Sequence, residues 1–302
     1  MLPFKHAKFF RKYFNHSQPE NSPALPCQLK IVSQNQGYSP NDGAKKEKWL
    51  NSHCQRTHMS NLVIVPTYNE KENITDLVRA ITALPVPFDI LVIDDNSPDG
   101  TASLVKEMIP SFPNLHLMER EGKMGLGRAY IAGFDWALQR DYRYICEMDA
   151  DFSHNPDDLV RLWDACENGG ADLAIGSRYI SGVNVVNWPM GRVLMSYIAS
   201  MYVRMVTGMK IMDTTAGFKC YRREVLQNIN PGHIRLIGYG FQIEMKFTAW
   251  LLGYKIVEVP IIFTDRKAGT SKMSGGIFGE AMWGVVRMKI VSIFRKPRRI
   301  AA

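Results

Sequence analysis

Three groups of acidic and hydroxyl-bearing residues stand directly behind short apolar runs. Pro66-Thr67-Tyr68-Asn69-Glu70 follows Leu62-Val63-Ile64-Val65, and Asp94-Asp95-Asn96-Ser97-Pro98-Asp99-Gly100-Thr101 follows Ile90-Leu91-Val92-Ile93. Asp149-Ala150-Asp151 closes the run from Tyr144 to Met148. Carboxylates gathered at neighbouring positions repel one another unless a cation or hydrogen-bond donors occupy the space between them. Asp149 and Asp151, two hard oxygen ligands at i and i+2, suit Mg²⁺ or Mn²⁺ bridging a pyrophosphate. Each piece also has a plainer reading. Asp94 and Asp95 could cap a helix beginning near Thr101, the Asp99-Gly100 turn could be only a turn, and an isolated Asp-x-Asp says little. Their joint placement at successive strand ends raises them above that reading.

The elements that must position them follow from periodicity. Leu62–Val65 and Ile90–Ile93 are continuous β-rich runs, as strands covered on both faces should be. Ile74, Leu77, Val78, Ile81 and Leu84 recur at helical spacing between them. Further strands are expected at Leu115–Met118, Tyr144–Met148 and Leu173–Gly176, with helices over Thr101–Ile109, Arg128–Gln139 and Pro156–Glu167. This alternation predicts an α/β fold: a mixed, mostly parallel sheet with helices on both faces, whose ligands bind beyond the carboxyl ends of the strands. Gly122-Lys123-Met124-Gly125-Leu126-Gly127 is not a dinucleotide fingerprint, because Tyr130 occupies its third glycine position. Lys123 and Arg128 at a glycine-rich helix start nevertheless suit a phosphate.

The chain has 302 residues and a net charge of +8, concentrated at its ends. Before Met59 there are nine basic residues against three acidic ones, and no acid follows Glu280, whereas Arg287, Lys289, Arg295, Lys296, Arg298 and Arg299 do. Such ends attract anionic headgroups or nucleic acid, but they carry neither aromatic stacking platforms nor a recognition helix, so nucleic acid is not expected as a partner. Residues 1–58 show no sustained period and are expected to be a disordered basic extension; one reading starts translation at Met59. Cys27, Cys54, Cys146, Cys166 and Cys220 lack metal-type spacing and read as reduced thiols of a cytosolic compartment. Neither a secretory signal nor a secure membrane span is expected. Val193–Val206 is nearly all apolar and fits a buried helix about as well as a lipid-facing one, and Ile277–Phe294 reads as an interfacial amphipathic helix.

Taken in order, the motifs at Pro66–Glu70, Asp94–Thr101, Gly125–Gly127 and Asp149–His154 resemble the family 2 glycosyltransferases of GT-A fold. The likeness narrows to polyprenol monophosphate (dolichyl-phosphate) mannose synthases. It runs through Gly176–Tyr179, Asn187-Trp188, Arg192, Ser196, Asp213-Thr214, Gly217-Phe218, Gly238–Glu244 and Arg266–Lys272, so that it spans roughly residues 61–290. The resemblance implies an inverting transfer of mannose from GDP-mannose to a polyprenyl phosphate. It implies that Pro66, Tyr68, Glu70 and Asp95 line the nucleoside pocket, with Lys123 on the donor side. Asp149 and Asp151 would hold the metal, where Ser153 replaces a glutamine that some relatives place on it. Arg178, Arg192 and Ser196 would clamp the acceptor phosphate, and Arg266 and Lys272 would lie on a loop closing over the donor phosphates. It further implies a peripheral position on the cytoplasmic side of a membrane, aided by the tail at 276–302 or by a membrane-anchoring partner, with the transferase domain at 59–275. The rival readings are a UDP-sugar-dependent glucosyl or N-acetylglucosaminyl transferase to the same lipid or to a polysaccharide hydroxyl, and a sugar-nucleotide- or lipid-binding subunit without catalysis.

Overall fold

In the computed structural model of the protein, residues 61–236, 238–265, 276–294, 297 and 299 are described. Seven strands form one sheet in the order β3-β2-β1-β4-β7-β5-β8. They are β1 (Asn61–Thr67), β2 (Asp89–Asp94), β3 (Leu115–Glu119), β4 (Tyr144–Glu147), β5 (Leu173–Ser177), β7 (Lys219–Arg222) and β8 (Ile256–Pro260). A second, two-stranded sheet joins β6 (Val185–Val186) to β9 (Phe263–Thr264). The eight helices among the described residues are α1 (Lys71–Thr82), α2 (Thr101–Met108), α3 (Leu126–Leu138), α4 (Asp158–Glu167), α5 (Met190–Thr207), α6 (Arg223–Ile229), α7 (Tyr239–Leu251) and α8 (Gly276–Phe294).

Alternation along each strand sends side chains into two cores. Val63, Val65, Ile90 and Val92 pack with α1, α2 and α4, whereas Leu62, Ile64, Leu91 and Ile93 pack with α3, α6 and α7. Leu62 through Val65 are wholly buried, which accounts for an apolar run without polar interruption. Each such side chain contributes about 1.5–3 kcal/mol through burial. On α1 the buried residues are Ile74, Leu77, Val78 and Ile81, the stripe its spacing predicts.

The sheet departs from a parallel one at β7, which runs antiparallel between β4 and β5. Its sequence, Lys219-Cys220-Tyr221-Arg222, is short and holds a fully buried lysine, so it shows no apolar run to read. α5 is built outside-in. It buries Ser200, Val203 and Thr207, yet leaves Met190, Leu194, Met195, Ile198, Met201 and Met205 exposed. Beside it, α8 exposes Met282, Trp283, Ile290, Val291, Ile293 and Phe294, with Arg287 among them, instead of dividing into a polar and an apolar face. The two helices are tied by the Tyr202 hydroxyl on the Met282 carbonyl (3.1 Å) and by Lys289 Nζ on the Thr207 carbonyl (3.0 Å). Among the described residues no helix is long and apolar enough to cross a membrane.

Candidate active site

Since β2, β1 and β4 are neighbours, their carboxyl ends bring the three acidic groups to one edge of the sheet. Thr67 lies in register with Asp94, and the Met148 N–H continues β4 by donating to the Ile64 carbonyl. The repulsion expected there is relieved residue by residue. Asp94 is wholly buried and accepts hydrogen bonds from the Thr67 hydroxyl (2.9 Å), the Ser97 hydroxyl (2.6 Å) and the Ser97 N–H (2.8 Å). The helix-capping role falls to Asp99, which accepts from the N–H and hydroxyl of Thr101 and from the Lys71 N–H. Burial raises the Asp99 carboxyl, but these hydrogen bonds outweigh it and hold the group below its ordinary value. Asp94 and Asp99 therefore build the loop.

Asp95 forms a two-pronged pair with Arg120, whose Nε and second guanidinium nitrogen reach its two oxygens at 2.6 and 2.8 Å. Both side chains are almost closed off from solvent. Arg120 directly succeeds the last residue of β3 and is absent from the residues that the sequence motifs single out. The strand-end rule that picks out the acids would find it if bases were inspected too. Close by in sequence, Lys123 lies 4.6 Å over the ring of Tyr68, so two of the expected donor-side residues meet. Pro66 is half-buried in β1, while Glu70 accepts from the Asn73 amide at 3.0 Å and donates its N–H to the Thr101 hydroxyl at 3.1 Å. α3 begins at Gly125 with φ 93°, and a Cβ on Gly127 would come within 2.9 Å of the Phe241 ring on α7. Gly127 thus lets the first turn of α3 approach α7 closely, while Gly125 supplies the positive φ before it.

At the end of β4, Asp149 accepts from the Tyr130 hydroxyl at 3.3 Å. Burial, reinforced by the Asp149 charge, drives the Tyr130 phenol well above its ordinary value, so it remains a donor. Asp151 is buried and accepts from both the N–H (3.1 Å) and the hydroxyl of Ser153. Ser153, the residue in place of glutamine, thus orients Asp151. The tyrosine and serine donors aim the two carboxylates and bring no charge of their own. Among the described residues no three His, Cys, Asp or Glu side chains converge as a complete metal cage. Two carboxylates with hard oxygens instead fit a divalent ion that takes its remaining ligands from substrate phosphates and water.

A chain of rings leads from this pair to the arginines. His154 stacks on Phe218 (4.7 Å) and meets Phe263 edge-on (5.2 Å), which in turn meets Trp188 at 5.1 Å. Burial drives the His154 imidazole down to about 4, with Arg178 acting in the same sense and Asp151 and Asp213 opposing. Arg178 lies 5.5 Å and Arg192 4.2 Å from the centre of the Trp188 ring. No acid lies between these arginines in sequence, yet both are paired in space. Arg178 grips Asp213 with two bonds of 2.7 Å and donates to the Thr215 hydroxyl, and Arg192 reaches Asp265 at 3.1 Å. Arg178 is buried, whereas Arg192 is about one-third exposed. Burial would raise the Asp213 carboxyl, but the charge and hydrogen bonds of Arg178 hold it below its ordinary value. Ser196, half-buried one turn beyond Arg192, acts with Arg178 against the upward push of burial on the Tyr179 phenol. Arg266 and Lys272 lie outside the described residues, as do residues 1–58.

Comparison with known proteins gives consistent findings. The sequence profile described as "Glycosyl transferase family 2" matches residues 62–229. The polyprenol monophosphomannose synthase of Mycolicibacterium smegmatis is 49% identical over 230 residues, 76% of this chain and 86% of that protein. The undecaprenyl-phosphate mannosyltransferase of Micrococcus luteus is 48% identical over 227 residues, 75% of this chain and 92% of that protein. Among solved structures, glucosyl-3-phosphoglycerate synthase of Mycobacterium tuberculosis, in complex with Mn²⁺, UDP and glucosyl-3-phosphoglycerate, superposes with a TM-score of 0.53. It is 15% identical, with 86% of each chain covered, which supports a shared fold and nothing finer.

Proposed function

This chain belongs to glycosyl transferase family 2 and is a glycosyltransferase of GT-A fold, and we propose that it transfers mannose from GDP-mannose to a polyprenyl phosphate. Two relatives near half identity, named for polyprenol and undecaprenyl phosphate mannosyl transfer, support the sugar and the acceptor. The observation that carries the reading is the arginine pair on Trp188 at the start of α5, a helix whose outward face is apolar. An anion-binding group at the root of a lipid-exposed helix suits a phosphate carried on a lipid better than a sugar hydroxyl.

The donor would lie along the β1 and β2 ends, with its base and ribose near Pro66, Tyr68, Glu70 and Asp95. The two-pronged Arg120 pair fixes the orientation of Asp95, whose oxygens can accept from ribose hydroxyls or base N–H groups. Lys123 and the start of α3 face the diphosphate. Asp149 and Asp151 would hold Mg²⁺ or Mn²⁺, which when bound offsets the negative charge that builds on the leaving diphosphate. Tyr130 and Ser153 keep the two carboxylates turned to that task. Arg266 and Lys272, on the segment after β9, would add positive charge over the phosphates.

Arg192 is the more accessible arginine and its partner Asp265 is partly exposed, so an incoming phosphate can compete for its guanidinium. Arg178, held in a buried pair with Asp213, keeps its guanidinium at a fixed place beside Trp188. The acceptor is a phosphate monoester with a second pKa near 6, so it arrives as a dianion and needs no strong base. Its oxygen attacks the anomeric carbon opposite the diphosphate, the C–O bond to the diphosphate breaks, and the configuration inverts. The exposed apolar residues of α5 and α8 would lie in the headgroup region of the cytoplasmic leaflet, alone or beside an anchoring protein. Kinetics of two variants test the reading. Asp149→Ala should abolish turnover with the fold intact, and Arg192→Ala should raise the acceptor KM more than the donor KM. Retained turnover, or the opposite KM pattern, removes the assignment of that residue.

A further inference from the structure

Two lysines, Lys219 and Lys246, are wholly buried, and the proposed transfer uses neither. Lys219 is matched by Glu147, 3.1 Å away and equally buried. Lys246, on α7, makes no ion pair among the described residues. Its Nζ donates to the carbonyls of Thr214 (2.8 Å) and Ala216 (2.6 Å). Burial drives this amino group well below its ordinary value, with Lys219 acting in the same sense and Asp213 and Glu147 opposing, and a buried lysine head group costs free energy that a methionine of similar volume would not. The segment it holds is therefore informative.

Those carbonyls belong to the irregular segment between α5 and β7. The same segment is gripped from its other side: both oxygens of Glu258 on β8 accept main-chain N–H groups, from Met212 at 2.7 Å and Asp213 at 2.9 Å. A carboxylate thus holds the N–H side and a lysine Nζ the carbonyl side of one five-residue turn. Inside it, Asp213 takes both prongs of Arg178 and also the Arg178 N–H at 3.0 Å, while Thr215 takes a further guanidinium bond. A segment without helix or ladder partners has no other means of fixing its backbone so closely.

We infer that Lys246 and Glu258 are positioning residues for the acceptor side of the reaction: together they fix the Met212–Ala216 turn, and through Asp213 they set where the Arg178 guanidinium stands against Trp188. The inference rests on the reading of Arg178 and Arg192 as the acceptor-phosphate clamp. It separates two kinds of stabilisation. A lysine that merely supports the fold would, when replaced, weaken donor and acceptor binding together. A lysine that sets Arg178 acts on the acceptor alone.

The test uses the full chain with Lys246→Met, Glu258→Gln and Arg192→Ala, each assayed with GDP-mannose, Mn²⁺ and a polyprenyl phosphate in detergent. GDP affinity in the presence of Mn²⁺ is measured by calorimetry. Lys246→Met should raise the acceptor KM about tenfold, the equivalent of roughly 1.4 kcal/mol. Glu258→Gln, which keeps a carbonyl acceptor, should raise it about threefold, with GDP affinity and donor KM inside about twofold for both. Glu258 is half-buried on an edge strand, so it carries the test even where Lys246→Met does not fold. A rise with Arg192→Ala but none with the other two leaves the clamp standing and overturns the positioning role. Parallel loss of GDP affinity and acceptor KM also overturns it. No rise with Arg192→Ala removes the clamp reading, and this inference with it.

Discussion

Replacing Arg120 by methionine keeps most of the side chain's volume and removes the cation from Asp95. The pair has two short hydrogen bonds, 2.6 and 2.8 Å, and its side chains are only 7% and 8% exposed. Water therefore cannot substitute for the guanidinium, and the carboxylate is left buried and uncompensated. Breaking such a pair from one side costs about 3–5 kcal/mol. With a urea dependence of roughly 3 kcal/mol per molar for a domain of this size, the unfolding midpoint should fall by about 1 M or more. Adding Asp95→Asn removes the stranded charge, so the double variant should regain most of that loss, with a coupling energy of about 2–3 kcal/mol. Chemical unfolding of the four proteins of the cycle reads this directly. A loss below about 1 kcal/mol for Arg120→Met, or strict additivity in the double variant, refutes the argument that the pair works as a closed unit.

The buried imidazole of His154 gives a pH prediction. Its folded value of about 4 lies below the ordinary 6.5, so between these pH values the unfolded chain binds a proton that the folded chain does not. Stability is then fully present above pH 6.5 and falls by up to about 3 kcal/mol on approaching pH 4. Asp213, also held low, adds loss of the same sign further into acid. His154→Gln should flatten the curve of unfolding free energy across that window; an unchanged slope contradicts it. On the apolar face, Met195→Asp and Trp283→Asp, both at well-exposed positions, should each weaken co-sedimentation with anionic vesicles by about tenfold, since a buried side chain of this kind is worth about 1.5–3 kcal/mol. Unchanged vesicle binding by both would assign the face to another occupant.

Much of the fold is legible in the sequence because parallel strands advertise themselves: Leu62–Val65 and Ile90–Ile93 are apolar on both faces, and the residues directly behind them must stand at the site edge. Legibility ends where partners come from afar. Nothing near Asp95 in sequence announces Arg120, and the acid that fixes Arg178 lies 35 positions away. The motif at Asp94–Thr101 mixes two jobs that composition cannot separate: Asp94 and Asp99 fasten the loop, and Asp95 pairs with Arg120. β7 escapes because its buried Lys219 reads as a surface residue until Glu147 is placed opposite it. The apolar stretch from Val193 to Val206 leaves burial and lipid exposure open, since both want the same side chains. The structure turns Ser200 and Thr207 inward and the methionines out, so the helix is not buried all round.

Product analysis reads the identity of the donor and of the acceptor in one assay. Purified protein is given Mn²⁺, polyprenyl phosphate in detergent, and either radiolabelled GDP-mannose or radiolabelled UDP-glucose. Mannosyl transfer to the lipid should put label from GDP-mannose alone into an organic-extractable product that mild acid releases. Label from UDP-glucose alone, or no transfer to the lipid from either donor, would contradict it.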